Sequence, residues 1–180
     1  MTSTINKPHH RRRGRRPPAG SRVPATLPRL DYHAVVLAAV LVLIGLIRLR
    51  LLAVPFERDE GEYVYMGNLI LHGGLPYRDA YNMKLPGTYG MYSLIMAVFG
   101  SSPAGVHAGF MIVSLATIVL MYIVFKRLFS PMTGLVAATL YGLLAVSGPV
   151  LGSAAHATHF VNLFALLGLL FYSRWNDRKP

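Results

Sequence analysis

The chain alternates long apolar runs with short polar segments. Four apolar runs, at about 34–54, 106–125, 133–151 and 160–173, predict helices that cross a membrane. A fifth run, 86–99, has about fourteen residues, fewer than the roughly twenty that a spanning helix needs. It predicts a helix that re-enters the membrane or lies in its interface.

The polar segment after the first run predicts a short surface helix. Tyr63, Met66 and Ile70 recur at helical spacing, and two glycines and a proline within 73–76 end the pattern. The sequence therefore predicts an all-α fold, a polytopic transmembrane helical protein of about four spans. The short juxtamembrane or re-entrant helix lies in the first outside loop.

Acidic residues are concentrated in this loop, which holds five of the seven in the chain: Glu57, Asp59, Glu60, Glu62 and Asp79. Asp59 and Glu62 have the spacing of a capping box in which Asp59 is the N-cap. On that interpretation Asp59 only caps the helix, and Glu60 only complements its dipole. The alternative is that the clustered carboxylates form a site at the membrane surface.

Composition places the chain among integral membrane proteins, because 53% of its residues are hydrophobic and 14% are charged. The net charge of +11 suggests nucleic-acid binding at first, but eight of the 18 basic residues lie in the first thirty positions. Residues 1–32 are predicted to be a disordered basic tail in the cytoplasm. We expect membrane lipids, and no nucleic acid, as its partner. No cysteine is present, so disulfides are excluded.

Basic residues give an independent test of topology. If the run 86–99 does not cross, the cations at 126–127 and 174–179 lie on the same side as the tail. Both termini are then cytoplasmic, and residues 55–105 and 152–158 are outside. Arg48 and Arg50, at the outer end of the first span, are expected to snorkel to the interface.

A lysine stands where the first outside loop meets the short apolar run. The ammonium group of Lys84 can bind a phosphate at headgroup level, since it is a compact point charge on a long stem. Ordinary anchoring at the interface is the alternative.

Five motifs follow one another along the chain: Asp59-Glu60-x-x-Tyr63, Leu75-Pro76-Tyr77-x-Asp79, Lys84-Leu85-Pro86-Gly87-x-Tyr89, Phe99-Gly100 and Lys126-Arg127-Leu128-Phe129. As a series they resemble the start of the C-type (GT-C) membrane glycosyltransferases. The chain is most similar to the family of protein O-mannosyltransferases, aminoarabinose transferases and bacterial galacturonosyltransferase-like proteins. On this resemblance, residues 33–180 are the N-terminal transmembrane part of a GT-C domain.

The resemblance implies a multi-pass enzyme of the bacterial cytoplasmic membrane. It would transfer a sugar from a polyprenyl-phosphate-linked donor to a lipid, glycan or protein acceptor at the outer face. Asp59, with Glu60 beside it, would be the base at the acceptor, and its pKa is expected to be tuned upward by the neighbouring carboxylate. Lys84 would contact the carrier phosphate, with Arg78 as a second cation and Tyr63 in the substrate-binding set.

Two departures from the family pattern matter. Where the family places a second acid in the next outside loop, this chain has His156 and His159. They can take over that place in substrate binding, share in proton transfer, ligate a divalent metal with Asp59 or Glu60, or only cap a helix. No cofactor is certain, and a divalent metal is the one candidate. His107 and the other histidines are given no role. The second departure is the short length, which leads us to expect a fragment.

Two other classes of function stay open. A small transporter or channel subunit is suggested by ionisable residues near the membrane and by abundant glycine in the apolar runs. A noncatalytic membrane scaffold is suggested by the basic tail, which can bind anionic lipid.

Overall fold

The computed structural model describes residues 31–148 and 152–177, and the fold in this part of the chain is entirely helical. Six helices follow one another: α1 (Tyr32–Leu51), α2 (Arg58–Leu71), α3 (Pro86–Phe99), α4 (Pro103–Leu128), α5 (Pro131–Leu144) and α6 (Ala157–Asn176). The predicted all-α class is confirmed. The predicted basic tail, apart from its last two residues, lies outside the described residues.

Two helices, α1 and α4, are long and apolar enough to cross a membrane by length and composition. Helix α5 is apolar but has only 14 residues. It ends at Leu144, before the end of the run 133–151. The structure therefore supports a membrane helical protein, and the count of four spans stays a prediction.

Helix α4 is the centre of the bundle and packs against α1, α3, α5 and α6. One core cluster joins α2, α3, α4 and the start of α6, and a second joins α1, α4 and α5. Close packing of α4 on α5 depends on Gly134, because a Cβ there would lie 2.6 Å from the carbonyl oxygen of Tyr122. The first cluster includes the buried face of α2, the helix that carries Asp59, Glu60 and Glu62.

Helix α2 begins differently from the prediction. Its N-cap is Glu57, whose carboxylate accepts from the Asp59 N–H at 2.8 Å, and the Glu60 carboxylate accepts from the Glu57 N–H at 3.0 Å. The predicted capping box of Asp59 with Glu62 is therefore wrong, since the same three-residue spacing occurs two residues earlier. The Asp59 side chain is left to make other contacts. The predicted stop is confirmed, because the helix ends at Leu71 and Gly73 has a φ of 81°.

Candidate active site

Four side chains from three segments meet at the end of the bundle where α4 begins. Helix α2 carries Asp59 and Tyr63, the loop before α3 supplies Lys84, and His156 is the N-cap residue of α6. We call these four residues the surface cluster. Asp59 and Lys84 are 25 positions apart in sequence, so their meeting depends on the packing of α2 against α3.

Lys84 is held by two oxygen atoms. Its Nζ donates to Asp59 Oδ2 at 3.1 Å and to the Tyr63 hydroxyl at 3.3 Å. The ammonium group also lies 5.5 Å from the centroid of the Tyr63 ring, within cation–π range. The Lys84 side chain is 34% exposed and that of Asp59 is 19% exposed, so the pair is partly shielded and still open to a ligand.

The charges of this pair support each other. The hydrogen bond from Lys84 is the main cause that holds the pKa of Asp59 below its usual value, and that same bond raises the pKa of Lys84. Both groups are therefore charged at neutral pH. The expected upward tuning of Asp59 by a second carboxylate is wrong, because Lys84 and not Glu60 is its near neighbour.

His156 is the second partner of Asp59. Its Nε2 lies 3.5 Å from Asp59 Oδ2, its Nδ1 lies 3.2 Å from the Thr158 hydroxyl, and its ring packs edge-on to Tyr63. The side chain makes no capping hydrogen bond to α6. The structure thus brings His156, on the turn before α6, next to Asp59.

Glu60 is turned away from the surface cluster and is 2% exposed. It accepts from His107 Nε2 at 3.0 Å, from the Ala155 N–H at 2.6 Å and from the Glu57 N–H. Burial raises the pKa of Glu60, but these hydrogen bonds outweigh it and leave the pKa below its usual value. An acceptor cannot reach this carboxylate without moving the helices around it.

His159 also lies inside the bundle, where it is 5% exposed and packs edge-to-face on Phe110 at 5.0 Å between ring centroids. Neither ring nitrogen has a hydrogen-bond partner among the described residues. The suggested metal set, His156 and His159 with Asp59 or Glu60, is not assembled. No group of three or more potential metal ligands occurs in 31–148 and 152–177.

Arg78 does not reach the surface cluster. Its guanidinium makes two hydrogen bonds to Asp79, at 2.7 and 2.6 Å, and Asp79 also accepts from the Leu75 N–H at 2.8 Å. The bond from Arg78 is the largest cause that lowers the pKa of Asp79 to about 2. In the same loop the Tyr77 hydroxyl donates to the Lys84 carbonyl, so this loop shapes the backbone that presents Lys84.

Comparison with known families decides the class. The model of the dolichyl-phosphate-mannose-protein mannosyltransferase family matches residues 85–180, which is more than half of the chain. The chain belongs to this family. It is a membrane glycosyltransferase of the GT-C type, and the family implies a lipid-linked sugar donor and an acceptor. Comparison with curated proteins and with solved structures gave no match.

The family match covers only part of the surface cluster. His156 lies within 85–180, whereas Asp59 and Tyr63 precede the matched residues and Lys84 adjoins them. For Asp59, Tyr63 and Lys84, the relation to the family rests on the resemblance of the motifs at 59–63 and 84–89. The structure adds that they converge on one another and on His156.

Three buried polar residues around the cluster make contacts that were not expected from the sequence. Arg48 was expected to snorkel, and this is wrong: it is 4% exposed and donates to the carbonyls of Ala145, at 2.9 Å, and Gly152. Its guanidinium lies over the Phe110 ring. The Tyr92 hydroxyl donates to the Ala155 carbonyl at 2.7 Å, and the third residue is His107. Arg48 and Tyr92 both hold the turn 152–156, which carries His156.

Proposed function

We propose that this mannosyltransferase-family chain transfers a sugar from a polyprenyl-phosphate-linked donor to a lipid, glycan or protein acceptor at the outer face of the cytoplasmic membrane. The observation that carries the proposal is the 3.1 Å contact between Lys84 and Asp59. Transfer of a sugar from a phosphate leaving group to a hydroxyl acceptor requires a fixed cation for the phosphate and a fixed carboxylate for the hydroxyl proton. Lys84 and Asp59 lie side by side and are partly exposed, as such a reaction needs.

Lys84 is the proposed partner of the carrier phosphate. The leaving group is an anion, so stabilising its charge with a fixed cation matters more than protonating it. The Tyr63 hydroxyl and the Tyr77 bond to the Lys84 carbonyl hold this side chain and its backbone before any substrate arrives. The ammonium group needs little reorganisation when the phosphate binds.

Asp59 is the proposed base for the acceptor hydroxyl. In the free protein its pKa is held down chiefly by Lys84, so it is ionised and is a weak base. A phosphate that takes over the ammonium group of Lys84 adds negative charge beside Asp59 and raises its pKa. The carboxylate thus becomes a stronger base only when the donor is bound. His156, at 3.5 Å, is proposed to contact substrate beside it. Because Glu60 is buried, we propose that it helps to position the site and does not contact the acceptor.

The distribution of cations supports an outward-facing site. Lys126, Arg127 and Arg174 lie at the C-terminal ends of α4 and α6, and Arg127 Nε donates to Ser173 across these two ends. Helix α4 begins beside the surface cluster, where His107 contacts Glu60, and runs 26 residues to this basic end. The positive-inside rule would place the basic end in the cytoplasm and the surface cluster outside.

Transfer by the purified protein tests the proposal. We would supply polyprenyl-phosphate mannose, the sugar that the family description names, and donors with other sugars, with membrane extracts as acceptor. Asp59→Asn should slow transfer at least about 100-fold, because it removes the base. Lys84→Gln should slow it by roughly 100- to 1,000-fold, because it removes a fixed cation from the leaving group.

Two control variants change charge away from the surface cluster. Arg50→Gln removes an exposed cation near the end of α1, and Asp177→Asn removes an acid at the basic end of the bundle. Both should keep transfer close to the wild-type rate. Full activity of Asp59→Asn would contradict its assignment as the base. Ion flux in proteoliposomes without any transfer would favour the transporter class instead.

A further inference from the structure

Both ring nitrogens of His107 face hydrogen-bond acceptors. Nδ1 lies 3.1 Å from the Leu52 carbonyl oxygen, and Nε2 lies 3.0 Å from Glu60 Oε1. A carbonyl oxygen can only accept, so Nδ1 carries a proton. A neutral imidazole has a single N–H, so in a neutral ring Nε2 would have to accept a hydrogen bond from a protonated Glu60. The charge state of the pair therefore depends on whether Glu60 is ionised.

The surroundings of Glu60 favour the carboxylate. Oε1 accepts from the Ala155 N–H as well as facing His107, and Oε2 accepts from the Glu57 N–H. Two backbone donors and one ring donor satisfy an acceptor-only group, whereas a protonated Glu60 would have to accept and donate at the same oxygen. The hydrogen bonds also keep the pKa of Glu60 below its usual value in spite of burial.

We propose that His107 is an imidazolium ion paired with Glu60 and that this pair is a positioning element for the transfer reaction. The inference rests on the proposed function of the surface cluster. Glu60 directly follows Asp59, and Ala155 directly precedes His156, so the Glu60–His107 pair joins the two segments that carry those side chains. Leu52 adds the end of α1 to the same connection.

On balance, the groups around the ring favour this charge state. Phe56 packs edge-on to His107 at 5.9 Å between centroids and shields the pair from water. Arg48 is the nearby cation that opposes a second positive charge, but its guanidinium is turned to the carbonyls of Ala145 and Gly152. Glu60, in direct contact, is the closer charge. Shielding makes the attraction within the Glu60–His107 pair stronger than it would be at the surface.

Nitrogen NMR tests the charge state without any transfer assay. In ¹⁵N-histidine protein at pH 8, an exposed histidine with an ordinary pKa of about 6.5 is neutral. We expect one ring with both nitrogens protonated, and its signal should vanish in His107→Gln and persist in the control His72→Gln. A spectrum with neutral tautomers alone would overturn the proposal. The number of doubly protonated rings is read from the wild-type protein. The test of the charge state therefore still works if a variant fails to fold.

Distance measurement tests the positioning role. The chain has no cysteine, so spin labels at Arg58→Cys, on α2, and Val161→Cys, on α6, are the only labels present. Both native side chains are exposed, at 90% and 60%. The distance distribution between the labels should be narrow in the parent protein and clearly broader after His107→Gln or Glu60→Gln. An unchanged distribution in both variants would refute the positioning role.

Kinetics then separates positioning from substrate binding. His107→Gln should lower kcat at least tenfold with KM changed less than about threefold, since a displaced base slows chemistry more than it weakens binding. His107→Lys restores a cation and should recover part of kcat. If kcat is unchanged while the imidazolium is seen, the positioning role fails and the ion pair stands. If Asp59→Asn keeps full activity, the assignment of Asp59 as the base fails while the NMR result is unaffected. If the wild-type protein transfers no sugar from any of the donors, the proposed function fails, and the NMR result again stands by itself.

Discussion

Tyr92→Phe isolates one hydrogen bond beneath the surface cluster. The ring of Tyr92 is fully buried and packs against Tyr63, at 5.3 Å between centroids, and Phe160, at 5.8 Å. Phenylalanine keeps these ring contacts, so the packing contribution should hardly change. What is lost is the 2.7 Å bond from the hydroxyl to the carbonyl oxygen of Ala155, a residue that is also fully buried.

The size of the expected loss of stability follows from the Ala155 carbonyl, which Tyr92→Phe leaves unpaired. Leaving a buried polar group without a partner costs about 1–3 kcal/mol, which is a roughly 5- to 150-fold change in the unfolding equilibrium constant. Because the same Ala155 peptide donates its N–H to Glu60, the variant should also loosen the turn before His156. We therefore expect lower stability together with slower transfer.

The loss of stability is measured by unfolding the protein in detergent micelles with increasing SDS, followed by circular dichroism. Tyr65→Phe is the matched control, since Tyr65 lies on α2 and is 61% exposed. It should change the unfolding free energy by less than about 0.5 kcal/mol. If Tyr92→Phe is as stable as this control, the Ala155 carbonyl does not depend on the Tyr92 hydroxyl, and the reasoning is refuted.

Two other predictions test the charges and the packing. Lys84→Gln should raise the pKa of Asp59 toward its usual value of 3.8, because it removes the main cause of the lowering. Activity that needs ionised Asp59 should then fall off at a higher pH on the acid side, and carboxylate ¹³C NMR of labelled aspartate should show the shift. An unmoved titration would contradict the pairing. Gly134→Ala places a Cβ 2.6 Å from the carbonyl oxygen of Tyr122 and should destabilise by about 1–3 kcal/mol in the same SDS assay. Gly90→Ala is its control, because a Cβ there meets nothing within 4 Å and should be neutral or slightly stabilising. Equal stability of the two alanine variants would contradict the close packing of α4 on α5.

The helices could largely be predicted from the sequence because their signals are local. Uninterrupted apolar runs gave α1, α3 and α4, and the prolines at positions 86, 103 and 131 stand at helix starts, where a missing N–H costs nothing. The start of α2 was placed wrongly because two pairs of acids have the capping-box spacing. Only the backbone shows which pair is used, and this decides that Asp59 is available to Lys84.

The buried polar contacts could not be predicted because their partners are distant in sequence. A single arginine or histidine in an apolar run looks the same whether it faces lipid, solvent or another helix. Arg48 meets Ala145 across 97 positions, and His107 meets Glu60 across 47. No spacing rule links such positions. The contact between Asp59 and Lys84 could have been expected, because both residues lie in motifs that resemble the glycosyltransferase family.

The contacts of Glu60 also set an order in which the protein can assemble during synthesis. Glu60 is made 47 residues before His107 and 95 residues before Ala155, its two long-range partners. Until they arrive, its carboxylate has to stay hydrated, because burying an unpaired charge is costly. Helix α2 can therefore dock fully only after α4 is in place and the turn 152–156 has been made. The surface cluster is completed late, when the ribosome has already begun α6.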